Sequence, residues 1–198
     1  MNLDKITQRY LEIFPGDFSG NPAQRQTPNF LFALTEIYGF KKAQLLHFNK
    51  NLAKEIGLGE IENQQDKEFL NATQLPENLK TFSTAYAGHQ FGQWAGQLGD
   101  GRAIFAGEIK NSNGNFTEIQ WKGAGATPYS RHADGRAVLR SSIREYLMSE
   151  AMFHLGIPTT RALSLSLTGE KVARDVMYNG NVDFEQGAVV IRTSETFL

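Results

Sequence analysis

The chain has 198 residues, with 40% hydrophobic and 21% charged side chains, a composition that suits one globular domain or a small domain with an appendage. Twenty basic against 21 acidic residues leave a formal net charge of −1, so bulk electrostatics give no reason to expect nucleic acid or an anionic membrane as partner. The absence of cysteine excludes disulfides, thiolate metal sites and thiol nucleophiles within the chain, and no apolar run approaches the roughly 18 residues of a membrane span. The first residues mix acidic and basic side chains in a short amphipathic pattern rather than a secretory signal, which points to the cytoplasm.

Leu3 to Phe14 places Ile6, Tyr10, Leu11 and Phe14 at helical spacing and stops at Pro15-Gly16, which predicts a short helix. Residues 16–28 are rich in turn formers and read as a loop. Asn29 to His47 is apolar and ambiguous, with a possible strand at Gln44 to Phe48. Asn51 to Gly57 reads as a short helix with Gly57 as its C-terminal cap, and Gly59 to Lys80 as short helix and surface loop.

From residue 97 the pattern changes. Arg102 to Ile109 reads as a strand, Asn111-Ser-Asn-Gly-Asn115 as a turn, and Phe116 to Lys122 as a second strand of the same hairpin. In that second strand Thr117, Ile119 and Trp121 share one face, and Glu118, Gln120 and Lys122 the other. Gly135 to Leu155 predicts a long helix, with Leu139, Ile143, Tyr146, Leu147, Met152 and Leu155 as its apolar stripe. Gly156-Ile-Pro158 ends it. Thr160 to Val176 reads as a hairpin around Thr168-Gly-Glu170, and Gly187 to Thr193 as a last strand. Strands, one long helix and more strands predict an α+β fold with an antiparallel sheet.

Gly99-Asp100-Gly101 carries the chemistry of interest. Glycine in a turn ordinarily serves a positive φ. In dinucleotide folds and Walker loops, however, the glycines open a helix, whereas here they open a strand. A glycine-rich turn between antiparallel strands is the arrangement that covers the phosphates in protein kinases. Lys122 then lies on the polar face of the next strand, and Glu145, 23 residues on, can pair with it from the helix. Such residues are usually solvated; it is their order after the turn that favours the nucleotide reading. Arg136, Arg140 and Arg144 repeat every four residues, and Arg102 and Arg131 lie near the two loops. Asp134-Gly135 is either an N-cap or part of the nucleotide site. His47, His89, His132 and His154 show no metal-ligand spacing.

At these residues the chain resembles a known family. AYAGHQFGQWAGQLGDGRA, QWKGAGATPYSRHADGRAVLRSSIREYLMSEAM and LGIPTTRALSL are similar, nearly continuously from Ala85 to Leu165, to the selenoprotein O family of kinase-like protein adenylyltransferases. The resemblance is looser over the first 80 residues. It implies a protein-kinase-like N-terminal lobe over residues 81–198, preceded by a mainly helical and loop extension, residues 1–80, that packs on it. It further implies ATP or UTP bound in reversed orientation, transfer of AMP or UMP to Ser, Thr or Tyr hydroxyls of other proteins, and Mg²⁺ or Mn²⁺. By motif, Gly99, Gly101, Arg102, Lys122, Asp134, Gly135 and Arg192 would bind nucleotide, with Glu145 as the ion-pair partner of Lys122. Family members are more than twice this length. Their second phosphate-binding arginine would fall just beyond Leu198, and their general base and metal ligands lie in a C-terminal lobe. No catalytic residue is therefore expected within these 198 residues, which alone are expected to be inactive. The competing readings are a pseudokinase-type module that binds nucleotide or a partner without chemistry, and a conventional phosphotransferase.

Overall fold

The computed structural model describes residues 1–195, and they form an α+β fold with one large mixed sheet. The strands are β1 (Gly16–Asp17), β2 (Phe32–Leu34), β3 (Gln44–Phe48), β4 (Phe82–Gln90), β5 (Gln93–Gly99), β6 (Ala103–Lys110), β7 (Phe116–Lys122), β8 (Ala137–Val138), β9 (Arg161–Arg174) and β10 (Asp183–Glu195). The helices are α1 (Arg9–Ile13), α2 (Lys50–Glu55), α3 (Gln64–Leu70) and α4 (Leu139–His154). The main path of the sheet runs β1-β2-β4-β6-β7-β10-β9-β3, with β5 paired to β4 and β8 to β10. The sequence predicts an all-antiparallel sheet; the β1–β2 pairing is parallel, which makes the sheet mixed. Strands from the first 50 residues close both ends of the path, so the sheet runs across residue 80.

The alternation in β7 sets the two faces. Trp121 and Ile119 are fully buried beneath α2 and α3, in a core that also holds Leu52, Leu58, Phe69, Leu163 and Ile191. Trp121 donates its indole N–H to the Phe69 carbonyl at 2.8 Å, tying the sheet to α3. The opposite face carries Val190 and Leu165, covered by Tyr146 of α4. Hydrophobic burial on both faces is the main stabilising term.

Several boundaries differ from the sequence reading, each for a local reason. The predicted helix at Leu3–Phe14 is split into a 3-10 turn at Leu3–Lys5 and α1. Between them Thr7 exchanges two backbone hydrogen bonds with Glu108, at 2.8 and 2.9 Å. Residues 59–80 are not mainly surface: α3 opens with a capping box between Asn63 and Asp66 and buries Phe69 and Leu70. The hairpin predicted around Thr168-Gly-Glu170 is one continuous strand, β9. Its partner is β10, and the reversal lies at residues 175–182.

The long helix begins at Leu139, not Gly135, because Ala137 and Val138 pair with β10 as β8. Its sheet-facing seam is Ser142, Tyr146 and Ser149, whose small hydroxyl residues let the helix approach closely. Ile143, Leu147 and Leu155 of the predicted apolar stripe are exposed instead.

Gly57 does cap α2. Its amide and that of Leu58 close the helix onto Lys54 and Ala53, at 3.1 and 2.9 Å, with Gly57 at φ +84°. Gly57→Ala puts a Cβ into that left-handed conformation and is expected to cost about 1 kcal/mol, read as a lower urea midpoint at unchanged slope. An unchanged midpoint would show that the cap contributes nothing.

Candidate functional site

The glycine turn is not the tip of a hairpin between β5 and β6, as the sequence suggests. Strand β5 pairs with β4, the tip of that hairpin is Phe91-Gly92, and Gly99 to Arg102 crosses from β5 into β6. Nor do Gly99 and Gly101 have positive φ. Their requirement is space: a Cβ on Gly99 would overlap the Tyr129 ring, and one on Gly101 would lie 3.0 Å from the Tyr129 carbonyl. The crossing is stapled to the 127–130 loop by side chains. Thr127 Oγ1 donates to the Asp100 carbonyl at 2.8 Å, and Ser130 Oγ to the Gly101 carbonyl at 2.5 Å. Asp100 itself turns inward onto the Thr84 hydroxyl, and its burial raises its carboxyl pKa. Arg102, the last residue of the crossing, is exposed.

Lys122 and Arg192 stand on neighbouring strands, β7 and β10, on the face that α4 covers. Lys122 Nζ lies 2.5 Å from Glu145 Oε2, and Arg192 Nη1 lies 3.4 Å from Glu145 Oε1, so one carboxylate joins both cations to the helix. Arg192 Nη2 also donates to Gln120. Burial pulls the Lys122 ammonium below its ordinary pKa, against the opposing effect of Glu145. Arg192 Nε is buried without a hydrogen-bond partner among the described residues, an uncommon state for a guanidinium N–H.

After Lys122 the chain passes beneath the loop that leads to α4. Gly135, at φ +68°, is pressed so closely on Gly125 that a Cβ would fall on the Gly125 carbonyl. Asp134 does not cap α4, whose N-cap is Val138 with no side-chain bond. Its carboxylate accepts from the Arg136 amide at 2.9 Å and from Arg174 at 2.6 and 3.0 Å. Burial pushes the Asp134 carboxyl up, but Arg174 and the Arg136 amide more than offset it, and its pKa is lowered.

The arginine row does not form one helical side. Arg136 precedes the helix, pairs with Glu170 at 2.5 Å and lies over the Tyr38 and Phe40 rings, at 4.5 Å from each. Arg140 pairs with Glu185 on the exposed surface. Arg144 remains beside Lys122 and Glu145.

The site residues therefore line two adjoining clefts. Gly99, Gly101, Asp134 and Gly135 border one of about 600 Å³, and Lys122, Glu145 and Arg144 one of about 340 Å³. Arg102 borders both. Arg192 reaches the smaller one through Glu145. Sequence reasoning missed Arg174, Gln120 and the Thr127–Ser130 staple. The one readable signal for the staple was Thr127-Pro-Tyr-Ser130, where a hydroxyl two or three residues from a free amide favours a local turn.

The family model for protein adenylyltransferase SelO matches residues 19–198. A protein nucleotidyltransferase YdiU from Cytophaga hutchinsonii is 50% identical over 98% of this chain, which covers 38% of that protein. Those of Flavobacterium johnsoniae and Azoarcus sp. are 48% and 47% identical over 98% and 96% of the chain, which covers 37% of each. The chain thus spans well under half the length of these relatives.

Proposed function

The chain belongs to the SelO family, and from that membership we propose that it is the nucleotide-binding part of a protein nucleotidyltransferase that moves AMP, or UMP, from a nucleoside triphosphate to Ser, Thr or Tyr hydroxyls of other proteins. The sheet with α4 is read as a kinase-like N-terminal lobe, with residues 1–80 as its extension. The observation that carries the proposal is the joining of Lys122 and Arg192 through Glu145, with Arg102 facing the same space.

In the proposed reaction the acceptor oxygen bonds to the α-phosphorus while the bond from that phosphorus to the α–β bridging oxygen breaks. Pyrophosphate leaves, and the hydroxyl proton passes to a base expected outside these residues. Lys122, Arg102 and Arg192 offset charge that builds on the phosphate oxygens, with Glu145 holding two of the three in place beforehand. Guanidinium forks suit phosphate oxygens. The resemblance implies Mg²⁺ or Mn²⁺. Among the described residues no three His, Asp or Glu side chains converge to hold a cation.

The test supplies ATP labelled at the α or the γ phosphate to a form of the protein that spans the length of its relatives. The expected result is α label in protein, with little transfer by residues 1–198 alone. Label from γ only would instead mean a conventional phosphotransferase, and label from neither a pseudokinase-type binding module.

A further inference from the structure

The β4–β5 hairpin takes no part in the nucleotide reading, yet its side chains sit where the fold itself does not favour them. Its tip is Phe91-Gly92, with φ of +54° and +78°, so both central residues are left-handed, as in a type I′ turn. Such a turn prefers Asn-Gly, and a bulky aromatic residue at positive φ is strained. Packing does not offset that strain, because Phe91 is 94% exposed. Trp94, 63% exposed, is set in place by the His89 ring across the strand pair, with 5.1 Å between centroids. Tyr86 is exposed nearer the root. Rings this open, one of them on a turn that disfavours it, point to a partner outside the described residues.

The same arm has an open edge. Strand β5 pairs with β4 and with no other strand among the described residues. Edge strands are ordinarily blunted by charged side chains, proline or a covering element. From Ala85 to Gly99 there is no Lys, Arg, Asp, Glu or Pro. The arm therefore offers main-chain hydrogen bonding beside exposed rings, the combination that receives an extended peptide. Being uncharged, it disfavours a charged segment, whose lost hydration it cannot replace. It is also fixed to the site: Gln90 accepts from Arg131 at 2.5 Å, Gln97 accepts from the Thr27 amide at 2.8 Å, and Gly99, at the end of β5, borders the larger cleft.

We propose that the β4–β5 hairpin is the arm that docks the acceptor protein. An uncharged, extended, hydroxyl-bearing segment of the acceptor pairs with the free edge of β5, and Phe91 and Trp94 pack on its side chains. The proposal rests on the nucleotidyl-transfer reading above and adds how the acceptor is recognised: by backbone and apolar contact, not by charge. A segment laid along β5 is led toward Gly99 and so toward the cleft.

The test uses a form of the protein that spans the length of its relatives, α-labelled ATP, and the blocked peptide Gln-Thr-Val-Ser-Val-Thr-Gln at millimolar concentration. The peptide is expected to take up label. Methylating its odd-numbered or its even-numbered amides should raise its KM about tenfold in one set and little in the other, because only alternate amides of a strand face its partner. Phe91→Asn supplies the pair that the turn prefers, so the melting temperature should hold or rise. It should raise the peptide KM about tenfold, as loss of an aromatic anchor does, and leave the KM for ATP unchanged. An unlabelled peptide in a preparation that labels protein, or equal effects of the two methylated sets, would overturn the proposal and leave nucleotidyl transfer standing. A rise in the KM for ATP matching that for peptide would overturn it in favour of a cover over the nucleotide. A lower melting temperature in Phe91→Asn would overturn it in favour of packing within the chain. A dimer that Phe91→Asn dissociates, with the peptide KM unchanged, would give the arm to a second copy instead. No label in peptide or protein, with no binding of ATP, would overturn the nucleotidyl-transfer reading and this inference with it.

Discussion

Lys122→Ala is expected to lower nucleotidyl transfer by at least about a hundredfold, the scale seen when one preorganised charge or donor is removed from a transition state. The fold should tolerate it. The lysine and glutamate side chains are 21% and 24% exposed, and Arg192 stays beside Glu145 when the lysine is gone. The loss of one partly exposed pair then costs about 1 kcal/mol or less. The measurement is a rate of α-label incorporation together with a melting curve on the same preparation. A lysine that merely decorates the strand would leave the rate unchanged, and that result would sink the proposed role. A fall in melting temperature matching the fall in rate would sink it as well, because the rate would then report unfolding. Lys122→Arg sharpens the reading. It keeps the charge but replaces a compact ammonium with a planar fork that cannot occupy the same position against Glu145, so partial activity is expected.

The parts of this arrangement legible in the sequence are those in which side-chain pattern and backbone agree. Strand β7 was readable because Thr117, Ile119 and Trp121 alternate with polar residues, and the turn before it because Asn111 bonds its own backbone at Asn113 and Asn115. The β4–β5 hairpin was not readable. Its sequence is rich in glycine and glutamine, both faces of its outer part are open, and Phe91 and Trp94 are exposed, so no burial pattern marks it. Only backbone pairing makes it a hairpin.

Glycine misled twice, for one reason. At Gly99 and Gly101 the sequence suggests a turn conformation, whereas the structure needs only the missing Cβ against Tyr129. At Gly169 it suggests a hairpin reversal, but the positive φ there lies within a strand and lets the chain press on the backbone of Lys42. A sequence shows that a residue has no side chain, not which neighbour requires it. The arginine row failed similarly: helical spacing groups Arg136, Arg140 and Arg144, but Glu170 and Glu185, which claim two of them, come from distant strands. Arg174 could not be found at all without the fold, since its partner Asp134 is 40 residues away.

Trp121→Ala is expected to have the largest effect on stability, about 3–5 kcal/mol, since it removes a fully buried aromatic side chain from a packed core. Against a typical total of about 5–15 kcal/mol that is a large fraction. Trp121→Phe separates the contributions. It keeps most of the apolar contact with Phe69, whose ring centroid lies 4.8 Å away, but removes the indole donor from the Phe69 carbonyl, which keeps the Ala72 amide at 3.2 Å. It should cost about 0.5–1.5 kcal/mol, the net worth of one hydrogen bond. Denaturant unfolding at constant slope measures both, and an alanine variant within about 1 kcal/mol of the parent would mean that α3 does not depend on this contact. The consequence reaches the site because Trp121 and Lys122 are adjacent residues on opposite faces of β7. What anchors the tryptophan to α3 also fixes the height of the lysine above the sheet. The phenylalanine variant, folded but less firmly anchored, is therefore expected to weaken ATP binding, whereas Gly57→Ala, at the end of α2, should leave ATP affinity unchanged.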